Sequence, residues 1–96
     1  MNNRDAHLQQ FFGGYFNQDW DIGGATSWSE VVDGYLRENS ASHAAITRDS
    51  LRAWLTDGDG CLPASFGCDY DPRPDGMDER TWVRAIADYI EMKLVS

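Results

Sequence analysis

Basic residues are scarce in this chain of 96 residues, which contains eight Lys and Arg against sixteen Asp and Glu. The formal net charge is −8, and Lys93 is the single lysine. Such a chain is repelled by the phosphate backbone of nucleic acids and by the anionic surface of a membrane. The balance instead favours a basic protein partner, which an acidic surface attracts and orients. The alternative is a solvated acidic surface that serves solubility alone.

Long apolar runs are also absent. No stretch approaches the roughly 18 apolar residues of a membrane-spanning helix. The first ten residues, MNNRDAHLQQ, contain no apolar run typical of a signal peptide. We therefore expect a cytoplasmic protein, in whose reducing environment Cys61 and Cys68 are reduced thiols. A disulfide between the two is the alternative for an oxidising compartment.

Aromatic residues, by contrast, are abundant, with four Trp, four Tyr and four Phe. Each large ring can bury roughly 150–250 Å², so residues 1–96 can form one small domain with a real core. Trp28, Trp54 and Trp82 fall at helical spacing among other apolar residues, which predicts that they lie in that core. Trp20 lies between aspartates in a loop, where we expect a buried ring.

Apolar periodicity predicts an all-α fold of four main helices, because no segment shows the alternation of a strand. The first helix is predicted at about 5–17 and the second at about 28–38. Ser27 and Glu30 form a capping-box pattern at the start of the second. The apolar residues that repeat at steps of three and four in the first helix are Leu8, Phe11, Phe12, Tyr15 and Phe16.

The third and fourth helices are predicted at about 43–56 and 78–94. Ser42 can cap the third helix, and Asp78 can cap the fourth. The apolar stripe of the third helix is looser and consists of Ile46, Leu51, Trp54 and Leu55.

The segment 57–77, between these two helices, is predicted to be an ordered acidic loop. It contains all three prolines and four of the nine glycines, which are typical of turns. Leu62 and Phe66 supply apolar anchors. Tyr70 lies between two aspartates, and the pattern fits either a core ring or an aromatic hot spot at an interface.

No arrangement in the sequence predicts a metal, a cofactor or a catalytic site. The segment DGDG at 57–60 is similar to the start of a calcium loop. The sixth and twelfth positions of that loop are Leu62 and Cys68, where Gly and Glu are required. The cysteines and histidines lack the clustered spacing of a zinc site. No nucleophile motif or phosphate-binding glycine loop is present, so we expect no enzyme activity.

Four stretches together resemble one protein family. They are YFNQDWD at 15–21, SWSEVVDGYLRE at 27–38, GCDYDPRPDGM at 67–77 and RTWVRAIADYI at 80–90. In this order and with these gaps, they are similar to the small, all-helical immunity proteins of bacterial contact-dependent growth inhibition systems. The resemblance covers roughly residues 8–92.

The resemblance implies a function that involves no chemistry of the protein's own. Such a protein binds the toxic C-terminal domain delivered by a neighbouring cell and blocks it in the cytosol as a 1:1 complex. The toxin is often a nuclease, here expected to be a ribonuclease with a basic groove, whose active site or RNA-binding surface is covered. The alternative function is an acidic adaptor or regulatory module with a different protein partner.

The resemblance also bears on the choice of interface residues. Positions in the shared motifs are expected to hold the fold more than to select the partner. This applies to the aromatic and acidic residues of 15–21 and also to Asp69, Tyr70 and Asp71. The segment 57–67 is shorter than in members that carry a further helix there, so its acids are candidates for partner-specific contact. The candidate toxin-binding residues are Asp57, Asp59, Asp69, Tyr70, Asp71 and Asp75, with Asp19 and Asp21 ranked after them.

Overall fold

The computed structural model describes residues 3–17, 20, 27–57, 66–68 and 70–95. Within these ranges the chain forms four α-helices and no strand, which confirms the predicted all-α class. None of the helices in these ranges is both long enough and apolar enough to cross a membrane. The helices are α1 (Asn3–Tyr15), α2 (Trp28–Glu38), α3 (Ala41–Asp57) and α4 (Glu79–Val95), and a short 3-10 helix spans Arg73–Asp75.

The four helices surround one hydrophobic core. α3 packs most extensively against α4 and also against α1, while α2 contacts α4 and α1. The helices therefore follow one another around the core in the order α1, α3, α4, α2. α3 and α4 are antiparallel, because Arg48 pairs with Glu91 (2.7 Å) and the side chain of Arg80 donates to Leu55 O (2.7 Å).

Aromatic rings from α1 fill the centre of this core. Phe12 and Phe16 are fully buried and both contact the ring of Trp82, with centroids 5.7 and 5.1 Å away. Phe16 follows the last residue of α1, and its N–H still donates to Phe12 O (2.8 Å). The predicted core position is confirmed for Trp54 and Trp82, which are 4% and 0% exposed. Trp28 differs, since it is only half-buried at the edge of the core.

The buried face of α3 differs from the predicted stripe. Ile46 is 47% exposed, whereas Ala44 and Thr47 are about 1% exposed. Ala44, Thr47 and Leu51 share one side of the helix, and Ile46 lies roughly 200° around the helix from Ala44. Thr47 is buried because its hydroxyl bonds that of Tyr35, 2.6 Å away, and so satisfies a polar group inside the core.

Side chains cap the helices as predicted in two cases of three. The N–H of Glu30 donates to Ser27 Oγ (3.4 Å), and the N–H of Thr81 donates to Asp78 Oδ1 (2.7 Å). The prediction of Ser42 as the cap of α3 was wrong. α3 begins at Ala41, so Ser40 occupies the cap position and accepts from the N–H of His43 (3.1 Å).

Two glycines let the loop before α4 pack closely on α1. A Cβ at Gly13 would lie 3.1 Å from Phe66 O. Gly67 has a φ of +73°, which favours glycine, and its own Cβ would lie 3.2 Å from the Cα of Gly13. Phe66 is thereby buried against Phe12, with the two rings stacked at 6.3 Å. This contact positions the next residues, Cys68 and Tyr70, at the end of the core.

Candidate functional site

The structure describes only part of the predicted toxin-binding set. Tyr70, Asp71 and Asp75 are described in full. Asp57 is the last residue of α3, and its side chain lies outside the described set. The remaining candidates lie outside the described ranges, namely Asp19, Asp21, Asp59 and Asp69. Cys61 and residues 58–60 of the DGDG segment also lie outside them.

The ring of Tyr70 is partly buried and packs against the aromatic core. It stacks on Trp82, with centroids 5.0 Å apart and planes 24° apart. The rings of Phe16 and Trp20 meet it edge-on at 5.8 and 4.8 Å. Trp20 is half-buried by this contact. Of the two possibilities left open for Tyr70, the packing favours the core ring, since three of its neighbours are aromatic side chains of this chain.

The hydroxyl of Tyr70 donates a hydrogen bond to Asp75 Oδ2. The pKa of Tyr70 is raised to about 12, mainly by burial of the phenol and secondly by this hydrogen bond to a carboxylate. Asp75 belongs to the 3-10 helix, which ends at Gly76, a residue with a φ of +81°. The bond therefore ties the exposed turn at 73–76 to a ring anchored in the core.

Asp71 is engaged with Arg73 in the same turn. The backbone N–H and Nε of Arg73 donate to Asp71 Oδ1 at 3.0 Å, and Nη2 donates to Oδ2 at 2.9 Å. These bonds from Arg73 hold the pKa of the Asp71 carboxyl below its usual range. The two charges largely neutralise each other at the surface. The two described carboxylates of this loop, those of Asp71 and Asp75, therefore both accept hydrogen bonds from side chains of the same chain.

A second surface, at the outer side of α2 and α4, was missed by the sequence analysis. The hydroxyl of Tyr89 donates to Asp33 Oδ1 (2.6 Å), and the ring of Trp28 meets that of Tyr89 edge-on at 5.7 Å. The pKa of Tyr89 is raised to about 12, mainly by the hydrogen bond to Asp33 and secondly by burial. The sequence indicates this surface through the spacing of Ala85, Tyr89 and Met92. These residues follow one another at steps of four and three residues, so they share one side of α4.

Among the described residues, no group has the geometry of a metal site, and the cavity between the helix ends is small. In the part of the chain that the structure covers, no three His, Cys, Asp or Glu side chains come together. A cavity of about 200 Å³ lies where the ends of α2 and α4 meet the start of α3. It is smaller than the roughly 300–1,000 Å³ of typical ligand pockets. Its lining contains no carboxylate and consists of Leu36, Asn39, Ser40, Ala41, Ala44, Lys93 and Leu94.

The described surface therefore offers half-buried aromatics and carboxylates, which suit contact with a protein. Comparison with known families agrees with this geometry, because the sequence model of the CdiI immunity protein family matches residues 4–90. The chain belongs to that family. This confirms the resemblance found in the sequence motifs. As a CdiI immunity protein it neutralises a toxin of a contact-dependent growth inhibition system, and proteins of this kind are generally not enzymes.

No curated protein and no solved structure matches the chain. The family match spans α1, α2, α3 and most of α4, so it includes both Tyr–Asp pairs described above. Tyr70 and Asp75 lie at the loop before α4, and Asp33 and Tyr89 lie on α2 and α4. The family membership does not by itself distinguish which of these two surfaces meets the toxin.

Proposed function

We propose that this CdiI immunity protein neutralises a ribonuclease toxin domain in the cytosol by forming a 1:1 complex that covers the active site or the RNA-binding surface. The whole chain acts as one immunity domain and catalyses no reaction. The observation that carries the proposal is the family match over residues 4–90. The nuclease character of the toxin is supported by the net charge of −8, because an RNA-cleaving domain needs a basic groove for its substrate.

The mechanism follows from electrostatics and occlusion. Carboxylates on a folded surface can occupy positions that RNA phosphates would take in the toxin, and the bound protein then excludes RNA sterically. The sequence-based candidates for this contact remain those of the acidic loops, together with Tyr70, Asp71 and Asp75. The side chains of these last three are engaged by hydrogen bonds within the chain.

The experiment that tests the proposal is calorimetric titration of this protein into the toxin domain encoded beside its gene, with RNA cleavage followed in parallel. We expect tight 1:1 binding and loss of cleavage. Binding with cleavage intact would indicate the adaptor function instead. Absence of binding would contradict neutralisation of that toxin.

Salt dependence separates the electrostatic part of the proposal from neutralisation itself. If carboxylates steer the encounter, the association rate falls steeply as ionic strength rises, because the Debye length shrinks from about 10 Å at 0.1 M to about 3 Å at 1 M. Stopped-flow association at several salt concentrations measures this slope. A rate that stays constant would reject electrostatic steering and leave occlusion standing.

A further inference from the structure

We propose that the outer surface of α2 and α4 around Trp28 and Tyr89 is the surface that docks the toxin, and that it receives a basic patch with exposed arginine or lysine side chains. This inference rests on the proposed function for the identity of the partner. It assigns the contact to residues outside the acidic loops that the sequence analysis selected.

An outward-facing strip of α4 supplies the apolar part of this surface. Ala85, Tyr89 and Met92 follow one another at steps of four and three, so they lie on one side of the helix. Met92 is 53% exposed, and Ala85 and Tyr89 are half-buried. Trp28 extends the strip onto α2 through its edge-on contact with Tyr89. Trp, Tyr and Met are enriched in the centres of protein interfaces, and Trp and Tyr dominate their energetics.

Carboxylates border the strip. Asp33 on α2 accepts a hydrogen bond from the Tyr89 hydroxyl through Oδ1. Asp88 on α4 lies 3.7 Å from Arg52 Nη2 of α3, and its side chain remains 67% exposed. Lys93 Nζ lies 5.4 Å from the centroid of the Tyr89 ring, so this ring already interacts with a cation. A guanidinium or ammonium group from a partner would find the same two features, an aromatic face and a carboxylate beside it.

Two further features of the described surface, the Tyr70 loop and Ile46, fit a partner less well. The ring of Tyr70 is in contact with Trp82, Phe16 and Trp20, and no exposed large apolar side chain is described beside it, whereas Met92 on α4 is 53% exposed. Ile46 is exposed on α3, but the residues one turn before and after it are Ser42 and Asp49. Only the Trp28–Tyr89 surface combines aromatic anchors, an exposed apolar side chain and carboxylates among the described residues.

The test replaces the exposed apolar residue of this surface with a cation. Met92→Arg introduces a like charge against a basic partner and removes apolar contact, and we expect at least about 30-fold weaker binding of the toxin domain by calorimetry. Ile46→Arg is the matched control. This variant adds the same positive charge at a similarly exposed apolar residue of α3. We expect its affinity for the toxin domain to stay within about threefold of wild type. Both variants should fold, which circular dichroism and the thermal midpoint check.

A second variant tests the carboxylate. Asp33→Asn keeps an acceptor for the Tyr89 hydroxyl and removes the charge, so we expect weaker toxin binding with a smaller dependence on salt. Unchanged toxin affinity in both Met92→Arg and Asp33→Asn would overturn the assignment of this surface. The proposed function would still stand in that case, provided that the wild-type protein binds the toxin domain. If the wild-type protein does not bind the toxin domain, the proposed function fails and this inference fails with it. If Met92→Arg converts a dimer of this chain into monomers without changing toxin affinity, the surface takes a second copy and the inference is also overturned.

Discussion

Two tyrosine–aspartate hydrogen bonds are found among the described residues, and they have different structural roles. Tyr70 and Asp75 are five residues apart, and their bond closes a turn over the core. Tyr89 and Asp33 are 56 residues apart, and their bond joins two helices at an open surface. The pKa of each tyrosine is raised to about 12, by burial first in Tyr70 and by the carboxylate first in Tyr89. The same pair of residue types therefore stabilises a fold in one place and shapes a surface in the other.

Removing the two rings should show this difference most strongly. Tyr70→Ala deletes a ring that contacts Trp82, Phe16 and Trp20, and we expect the free energy of unfolding to fall by about 2–4 kcal/mol. Tyr89→Ala deletes a ring that lies half-exposed against Trp28, and the expected loss is about 1–2 kcal/mol. Urea unfolding of both variants measures the two values. Equal losses would mean that Tyr89 is as much a core residue as Tyr70.

Strain at the loop that carries Tyr70 is expected to have the next largest effect. Gly67→Ala places a Cβ 3.2 Å from the Cα of Gly13 at a residue whose φ is +73°, so we expect a loss of about 2–3 kcal/mol. Gly76→Ala is the matched control, because Gly76 also has a positive φ but no atom lies within 4 Å of its Cβ position. Its expected loss is about 1 kcal/mol. If both variants lose the same stability by urea unfolding, close packing of the loop on α1 contributes nothing.

Removing the charge from each aspartate should have a smaller effect, and a different one at each site. Asp33→Asn weakens a hydrogen bond that joins the side chains of α2 and α4, with an expected loss of about 1 kcal/mol. Asp75→Asn weakens a bond within one exposed turn, and the expected loss is about half as large. Amide hydrogen exchange should report faster opening of α2 in the first variant and of residues near the turn in the second. Faster exchange of α2 in Asp75→Asn would mean that the turn also supports that helix.

Alkaline pH should weaken both tyrosine–aspartate pairs together. Because the folded-state pKa of both tyrosines is about 12 and the unfolded value is 10.0, folding favours the neutral phenols. Their contribution to stability is fully present below pH 10 and is lost as the pH rises from about 10 to 12. Urea unfolding across this range should show the decline. In the variant carrying both Tyr70→Phe and Tyr89→Phe, the free energy of unfolding should fall less steeply with pH. An unchanged slope would contradict the assignment of this decline to the two tyrosines.

The helices were predictable because their causes are local. Apolar residues at steps of three and four, with Ser27 and Asp78 as caps, place helix boundaries within about two residues of those observed. The third helix shows where this reasoning stops. Its periodicity is weak, and the chain buries Thr47 in place of Ile46 because the hydroxyl of Tyr35 needs a partner inside the core. That requirement comes from another helix, so no pattern within α3 reports it.

The candidate site was less predictable than the fold. Sequence spacing treats Trp28 and Trp82 alike, as members of apolar helical faces. The structure separates them: Trp82 is enclosed by α1 and the loop before α4, and Trp28 lies at the margin between α2 and α4. The sequence position of an aspartate also does not reveal its partner, which is two residues away for Asp71 and 56 residues away for Asp33.

The amino-acid sequence by itself determined the all-α class, the acidic character and the family of this protein. Each of these depends on composition or on patterns within short segments, which are independent of how the helices meet. Only the tertiary structure decided which rings seal the core and which remain at the surface, and which aspartates bond within their own turn and which join two helices. These outcomes depend on contacts between residues far apart in the chain, where burial and hydrogen-bond partners are set by the neighbouring helix.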